Sequence, residues 1–109
     1  VCSSDLLVFN CLEEKISETN HFIKIEDNNN YLNQTLNKLH DLQIQSLLVE
    51  GGSKLIQSFV EEGLWDEARV ITNSEMYIEH GLPAPKLKNE RLIKEECIGT
   101  DFIQYFTRE

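Results

Sequence analysis

The stretch that decides the fold is Leu47-Leu48-Val49-Glu50-Gly51-Gly52-Ser53-Lys54-Leu55-Ile56-Gln57-Ser58-Phe59. Ser46 to Val49 is nearly continuous in apolar residues, which predicts a parallel strand covered on both faces. Gly51-Gly52 breaks that run. A helix is then predicted from about Ser53 to Glu62, with Leu55, Ile56, Phe59 and Val60 on one side. Gly63 is its expected left-handed stop, because glycine takes positive φ without a Cβ penalty. Ligands of open α/β sheets sit beyond the carboxyl ends of strands. The first amides of a helix lack partners and carry the positive end of its dipole, so phosphate fits there. Glycines let the backbone approach a ligand, and Ser53 and Ser58 offer hydroxyls. A Gly-Gly turn is also common punctuation, so spacing alone leaves a plain turn open.

Upstream, Leu7-Val8-Phe9 reads as a short buried strand and Glu13 to Asn20 as a polar loop. His21 to Ile25 alternates and predicts a second strand, with Phe22 and the Ile23-Ile25 pair disputing the inward face. Asp27 to Asn30 is a turn offering several N-caps. Leu32, Leu36 and Leu39 then recur at i, i+4, i+7, one face of a helix from about Tyr31 to Leu42.

Downstream, Ala68 to Thr72 predicts a strand. Asn73 to Lys88, with Gly81, Pro83 and Pro85, reads as a long loop. Leu92 to Ile98, a Gly99-Thr100-Asp101 turn, and Phe102 to Thr107 predict a hairpin. In it, Phe102, Gln104 and Phe106 share one face, and Ile103, Tyr105 and Thr107 the other. The alternation of strands and helices places the chain in the α/β class, with a mainly parallel sheet and an antiparallel edge from the hairpin.

The 109 residues carry a net charge of −9 and are 40% hydrophobic, enough for a core. Like negative charge repels phosphate backbones and anionic lipid, so neither nucleic acid nor a membrane surface is an expected partner. A small phosphorylated ligand is compatible, since one pocket can be positive on an acidic surface. No apolar run approaches the roughly 18 residues of a membrane helix, and the opening shows no secretory pattern. Cys2, Cys11 and Cys97 are scattered without zinc spacing, which reads as reduced cytosolic thiols and no metal site. His21, His40 and His80 have no partner at a set interval. Asp66 and Glu67 are adjacent, so a strand would point them to opposite faces. Trp65 reads as a packing anchor, and Glu61-Glu62 as a solvated helix face.

Leu48-Val49-Glu50-Gly51-Gly52, then Leu55, Ser58-Phe59 and Gly63-Leu64-Trp65-Asp66-Glu67, closely resembles the reductase domain of the bifunctional riboflavin-biosynthesis deaminase/reductase family. The resemblance runs clearly from about Leu42 to Thr72, and more loosely over Leu7-Val8-Phe9 and the hairpin. It implies a dihydrofolate-reductase-like fold, a mainly parallel sheet flanked by helices with a C-terminal antiparallel hairpin. It implies NADPH as cofactor, with Gly51, Gly52, Ser53, Lys54, Leu55, Ile56, Gln57 and Ser58 along its phosphates. Glu50 would reach the ribose side of the substrate, a phosphorylated pyrimidine. The implied reaction reduces the ribosyl group of 5-amino-6-(5-phosphoribosylamino)uracil to the ribityl form, in the cytoplasm, by a homodimer joined through the hairpin. The family usually has a glycine-rich segment after the next strand, where Asn73 to Lys88 has only Gly81. With no initiator methionine, residues 1–6 are expected to be a non-native start and 7–109 the C-terminal part of the reductase domain, a fragment inactive alone. The alternatives are a pterin or folate reductase of the same fold, and a non-catalytic module for dimerisation or ligand sensing.

Overall fold

The computed structural model describes residues 6–109, so the expected non-native start lies outside the described residues save for Leu6. The chain divides into two compact units, Val1–Leu48 and Val49–Glu109. In the first, strands β1 (Leu6–Asn10), β2 (Lys15–Ile16) and β3 (Asn20–Lys24) precede helix α1 (Tyr31–Asp41). β1 and β3 run parallel, with Val8 opposite Phe22, and β2 pairs antiparallel on the far side of β3. Leu6, set aside as non-native, opens β1 opposite Asn20. The two-residue β2 falls inside the expected polar loop, where Ile16 supplied no alternating pattern to announce it. Ile23 and Ile25 are buried, at 3% and 8% exposure, and Leu39 joins them as core. The isoleucines therefore take the inward face, and Phe22 is half-buried.

Helix α1 ends in a Schellman arrangement. Gln43 N–H donates to His40 O (2.9 Å) and Ile44 N–H to Leu39 O (3.0 Å). That geometry needs a left-handed residue after the cap, and Gln43 supplies it at φ 65°.

The second unit holds helix α2 (Ser53–Glu61) and strands β4 (Glu67–Asn73), β5 (Glu90–Ile98) and β6 (Asp101–Arg108). Its sheet has the order β4-β6-β5, and both pairings are antiparallel. Gly99 has φ 60° and begins the two-residue loop between Ile98 and Asp101, the sign a type II′ turn requires there. Facing partners in the register keep Phe102, Gln104 and Phe106 on one side, with Ile103, Tyr105 and Thr107 on the other. A bulge between Leu92 and Lys94 leaves Ile93 unpaired, a feature that apolar alternation does not announce. α2 closes as expected: Gly63, at φ 68°, donates to Val60 O and Leu64 N–H to Phe59 O. Phe59 and Val60 are buried.

Two expectations are corrected. Ser46-Leu47-Leu48-Val49 is not a strand: residues 44–50 are irregular, and Leu47 and Leu48 are 50% and 83% exposed. A buried parallel strand needs ladder partners and cover on both faces. Among the described residues, β1 bonds to β3 and β4 to β6, and none pairs with this segment. The mainly parallel sheet flanked by helices is likewise not what the pairings form. One of four, β1 with β3, is parallel. The unpaired 46–49 segment accounts for the missing parallel strand, and a two-residue turn obliges β5 and β6 to run antiparallel.

Candidate functional site

The site expected at the strand–helix junction is a glycine turn opening directly into a helix. Gly51 and Gly52 have φ of 82° and 38°, values that disfavour any side chain. Both are exposed. A Cβ at Gly51 would meet nothing within 4 Å, and one at Gly52 only Leu55 Cβ at 4.0 Å. The glycines thus hold a backbone shape and leave open space outside it. α2 begins at Ser53 with Gly52 as its N-cap, without a capping side chain and without an acidic residue in the first turn. Ile56 N–H bonds back to Gly52 O at 3.2 Å. The N–H groups of Ser53, Lys54 and Leu55 have no helical acceptor behind them and point out of the helix end. Lys54 adds an exposed cation to that turn. This donor set, open space and local positive charge fit a phosphate.

The remaining expected residues divide. Glu50 is exposed immediately before the glycines, and Leu55 is exposed beside them. Ile56 is half-buried. Ser58 Oγ donates to Lys54 O at 2.9 Å, so its hydroxyl turns back onto the helix. Gln57 bonds to the backbone of Lys86, Nε2 to O at 3.1 Å and Lys86 N–H to Oε1 at 2.8 Å. The structure therefore brings Glu50 to Leu55 together at one exposed end and sets Gln57 and Ser58 to internal bonds.

Asn73, at the end of β4, organises a second polar cluster in the same unit. Its Nδ2 donates to Thr100 Oγ1 and Asp101 Oδ1, both at 2.8 Å. Its Oδ1 accepts the N–H groups of Glu75 (2.9 Å) and Met76 (2.7 Å). An Asx turn at a strand end was the signal available in the sequence. An open cleft there is lined by Asn73, Glu75, Met76, Tyr77 and Thr100.

On the opposite sheet face from Phe106, Arg69 and Lys94 each lie 5.2 Å from the Tyr105 ring centroid. The Tyr105 hydroxyl donates to Glu96, and Lys94 Nζ stands 3.7 Å from the same carboxylate. The bond from Tyr105 holds the Glu96 carboxyl below its ordinary range. Desolvation opposes this and the charges of Lys94 and Arg69 assist it. The same bond, with desolvation and the Glu96 charge, pushes the Tyr105 hydroxyl up.

Among the described residues no group of three or more His, Cys, Asp or Glu side chains gathers to hold a metal. No helix among them is long and apolar enough to cross a membrane. Cys11 is half-buried and Cys97 exposed, both as free thiols; Cys2 lies outside the described residues.

These features define an α/β chain in which an exposed glycine turn opens directly into a helix. Residues 4–76 match the RibD C-terminal domain family, and the chain belongs to it. That family makes it a riboflavin-pathway reductase domain with an oxidoreductase role, of a kind generally linked to NADPH. No curated protein matched the chain.

Proposed function

We propose that this chain carries part of the NADPH site of the reductase that converts the ribosyl group of 5-amino-6-(5-phosphoribosylamino)uracil to the ribityl form. The observation that carries the reading is the exposed Gly51-Gly52 turn opening into α2, inside the segment that matches the family. When bound, NADPH supplies the hydride that reduces the sugar. The chain's own part is binding and orientation. The amides of Ser53, Lys54 and Leu55 receive a cofactor phosphate, with the Lys54 ammonium adding charge attraction. The glycines keep Cβ atoms out of its approach. Glu50, exposed beside the turn, holds a sugar hydroxyl or manages its proton. Gln57 and Ser58 support this end from within rather than touching phosphate.

The second assignment is a homodimer formed through the C-terminal hairpin. It is supported by β6, which is half-buried along both faces, and by exposed Ile71, Leu92 and Ile98 on its neighbours. Fluorescence titration of the chain, within its native polypeptide, with NADPH tests the cofactor assignment. Saturable binding that weakens as salt rises supports it, and no binding refutes it.

A further inference from the structure

Helix α2 is nine residues long, too short to hold itself in water. Its place is therefore set by what grips it. Near its C-terminal end, Phe59 and Val60 are buried. From Val49 to Ser58, the stretch that carries the glycine turn and the first helical turn, no side chain is buried. Among the described residues, two hydrogen bonds alone join that stretch to residues more than four positions away, and both are made by Gln57. Its Nε2 donates to Lys86 O at 3.1 Å, and its Oε1 accepts the Lys86 N–H at 2.8 Å. A carboxamide carries a donor and an acceptor together, so glutamine matches both groups of one peptide. The nearby Lys88–Glu61 pair, 3.9 Å apart and exposed on both sides, adds little by comparison.

The position of this grip matters for the helix start. Gln57 lies four residues from Ser53, about 6 Å along the axis, while Phe59 lies six residues from it, about 9 Å. A tilt of about 10° pivoting at Phe59 moves the first amides by about 1.5 Å, enough to spoil a hydrogen bond that an N–H of Ser53, Lys54 or Leu55 makes to a fixed oxygen. The Gln57–Lys86 pair is the hydrogen-bonded restraint against that tilt.

We propose that Gln57 is a positioning residue for the cofactor: by clamping the Lys86 peptide to the second turn of α2, it fixes where the amides of Ser53, Lys54 and Leu55 point, and so sets the affinity of the anion site. This rests on the NADPH reading above. Gln57 itself touches no ligand, since both ends of its carboxamide are engaged.

The test is NADPH titration of the native polypeptide and its variants, each well below its own Tm so that unfolded chain does not enter the affinity. Gln57→Leu and Gln57→Asn are each expected to raise the NADPH Kd about tenfold, the order found for residues that act without touching a ligand. In turnover the loss is expected in KM for NADPH and not in kcat at saturating NADPH, a split that mere destabilisation does not produce. Lys86→Pro deletes the donated N–H from the other side of the pair. Lys86→Ala, which removes the same ammonium and keeps the N–H, is its reference. Relative to that reference, Lys86→Pro is expected to weaken NADPH binding, and joining it to Gln57→Leu to add nothing further. If the parent binds NADPH while the Gln57 variants lower Tm and leave Kd unchanged, or if the Gln57 and Lys86 effects add in full, the positioning role is refuted and the cofactor site stands. If the parent does not bind NADPH, both fail.

Discussion

The Gln57 carboxamide and the Lys86 peptide hold one another by two reciprocal hydrogen bonds, of 3.1 and 2.8 Å, across 29 residues of sequence. A side chain one and a half turns inside α2 is thereby committed to the connection leading into β5. Replacing it with leucine removes both bonds and leaves two backbone groups that water can reach. The expected cost is about 1 kcal/mol of stability, read as a lower urea midpoint at unchanged m-value. A midpoint equal to that of the parent would show that the pair adds nothing.

Gln43 closes α1 at φ 65°, a conformation that costs a residue with a Cβ about 1 kcal/mol relative to glycine. Gln43→Gly is therefore expected to stabilise the chain by about that amount, offset in part by the freer unfolded backbone. Thermal unfolding is the measurement, with a rise in Tm expected. A fall would mean that the glutamine side chain contributes more than its backbone costs.

Both helices and most strands were legible in the sequence, for definite reasons, while the mainly parallel sheet was not. Leu32, Leu36 and Leu39 mark α1, and Gly63 marks the end of α2, because local geometry forces both. β4 and the hairpin follow from alternation and the Gly99 turn. The strand expected at Ser46 to Val49 failed because an apolar run states only that a segment can be covered, not that partners cover it. The glycine turn and the helix start after it were readable from Gly51-Gly52 and the i, i+4 spacing that follows. The engagement of Gln57 with Lys86 was not, since no local pattern announces a contact 29 residues away. The Ile93 bulge and the Tyr105 cluster depend on cross-strand register, which single-strand patterns leave unspecified.

The Tyr105–Glu96 bond predicts two limits of pH stability. Glu96 titrates lower in the folded chain, so its contribution is complete above the unfolded value of roughly 4.3. It is lost as pH falls through the depressed folded value. Tyr105 titrates higher when folded. Its contribution is complete below the unfolded value of roughly 10 and is lost as pH rises through the raised one. In Tyr105→Phe, carbon-detected NMR should find the Glu96 titration moved up toward the ordinary range. An unmoved titration would remove the hydrogen bond as its cause.

The exposed apolar side chains beside β6 predict self-association through the hairpin. Light scattering on the native polypeptide at micromolar concentration should give a dimer mass, and Ile98→Lys should shift it toward the monomer. A monomer with the hairpin intact contradicts the assignment.

The central claim is that the Gly51-Gly52 turn receives the cofactor while Glu50 serves the sugar. Gly52→Val and Glu50→Gln in the native polypeptide, each titrated with NADPH and assayed for turnover, test it most directly. At Gly52 the new side chain meets only Leu55 Cβ, at 4.0 Å, so its effect comes from the φ of 38° and from standing where a phosphate approaches. NADPH Kd should rise strongly for Gly52→Val. For Glu50→Gln, NADPH Kd should stay near the parent value while turnover or substrate affinity drops by about ten- to a hundredfold, the loss of one charged contact. Equal and small effects of both changes on binding and turnover would contradict the account and leave the turn as a turn alone.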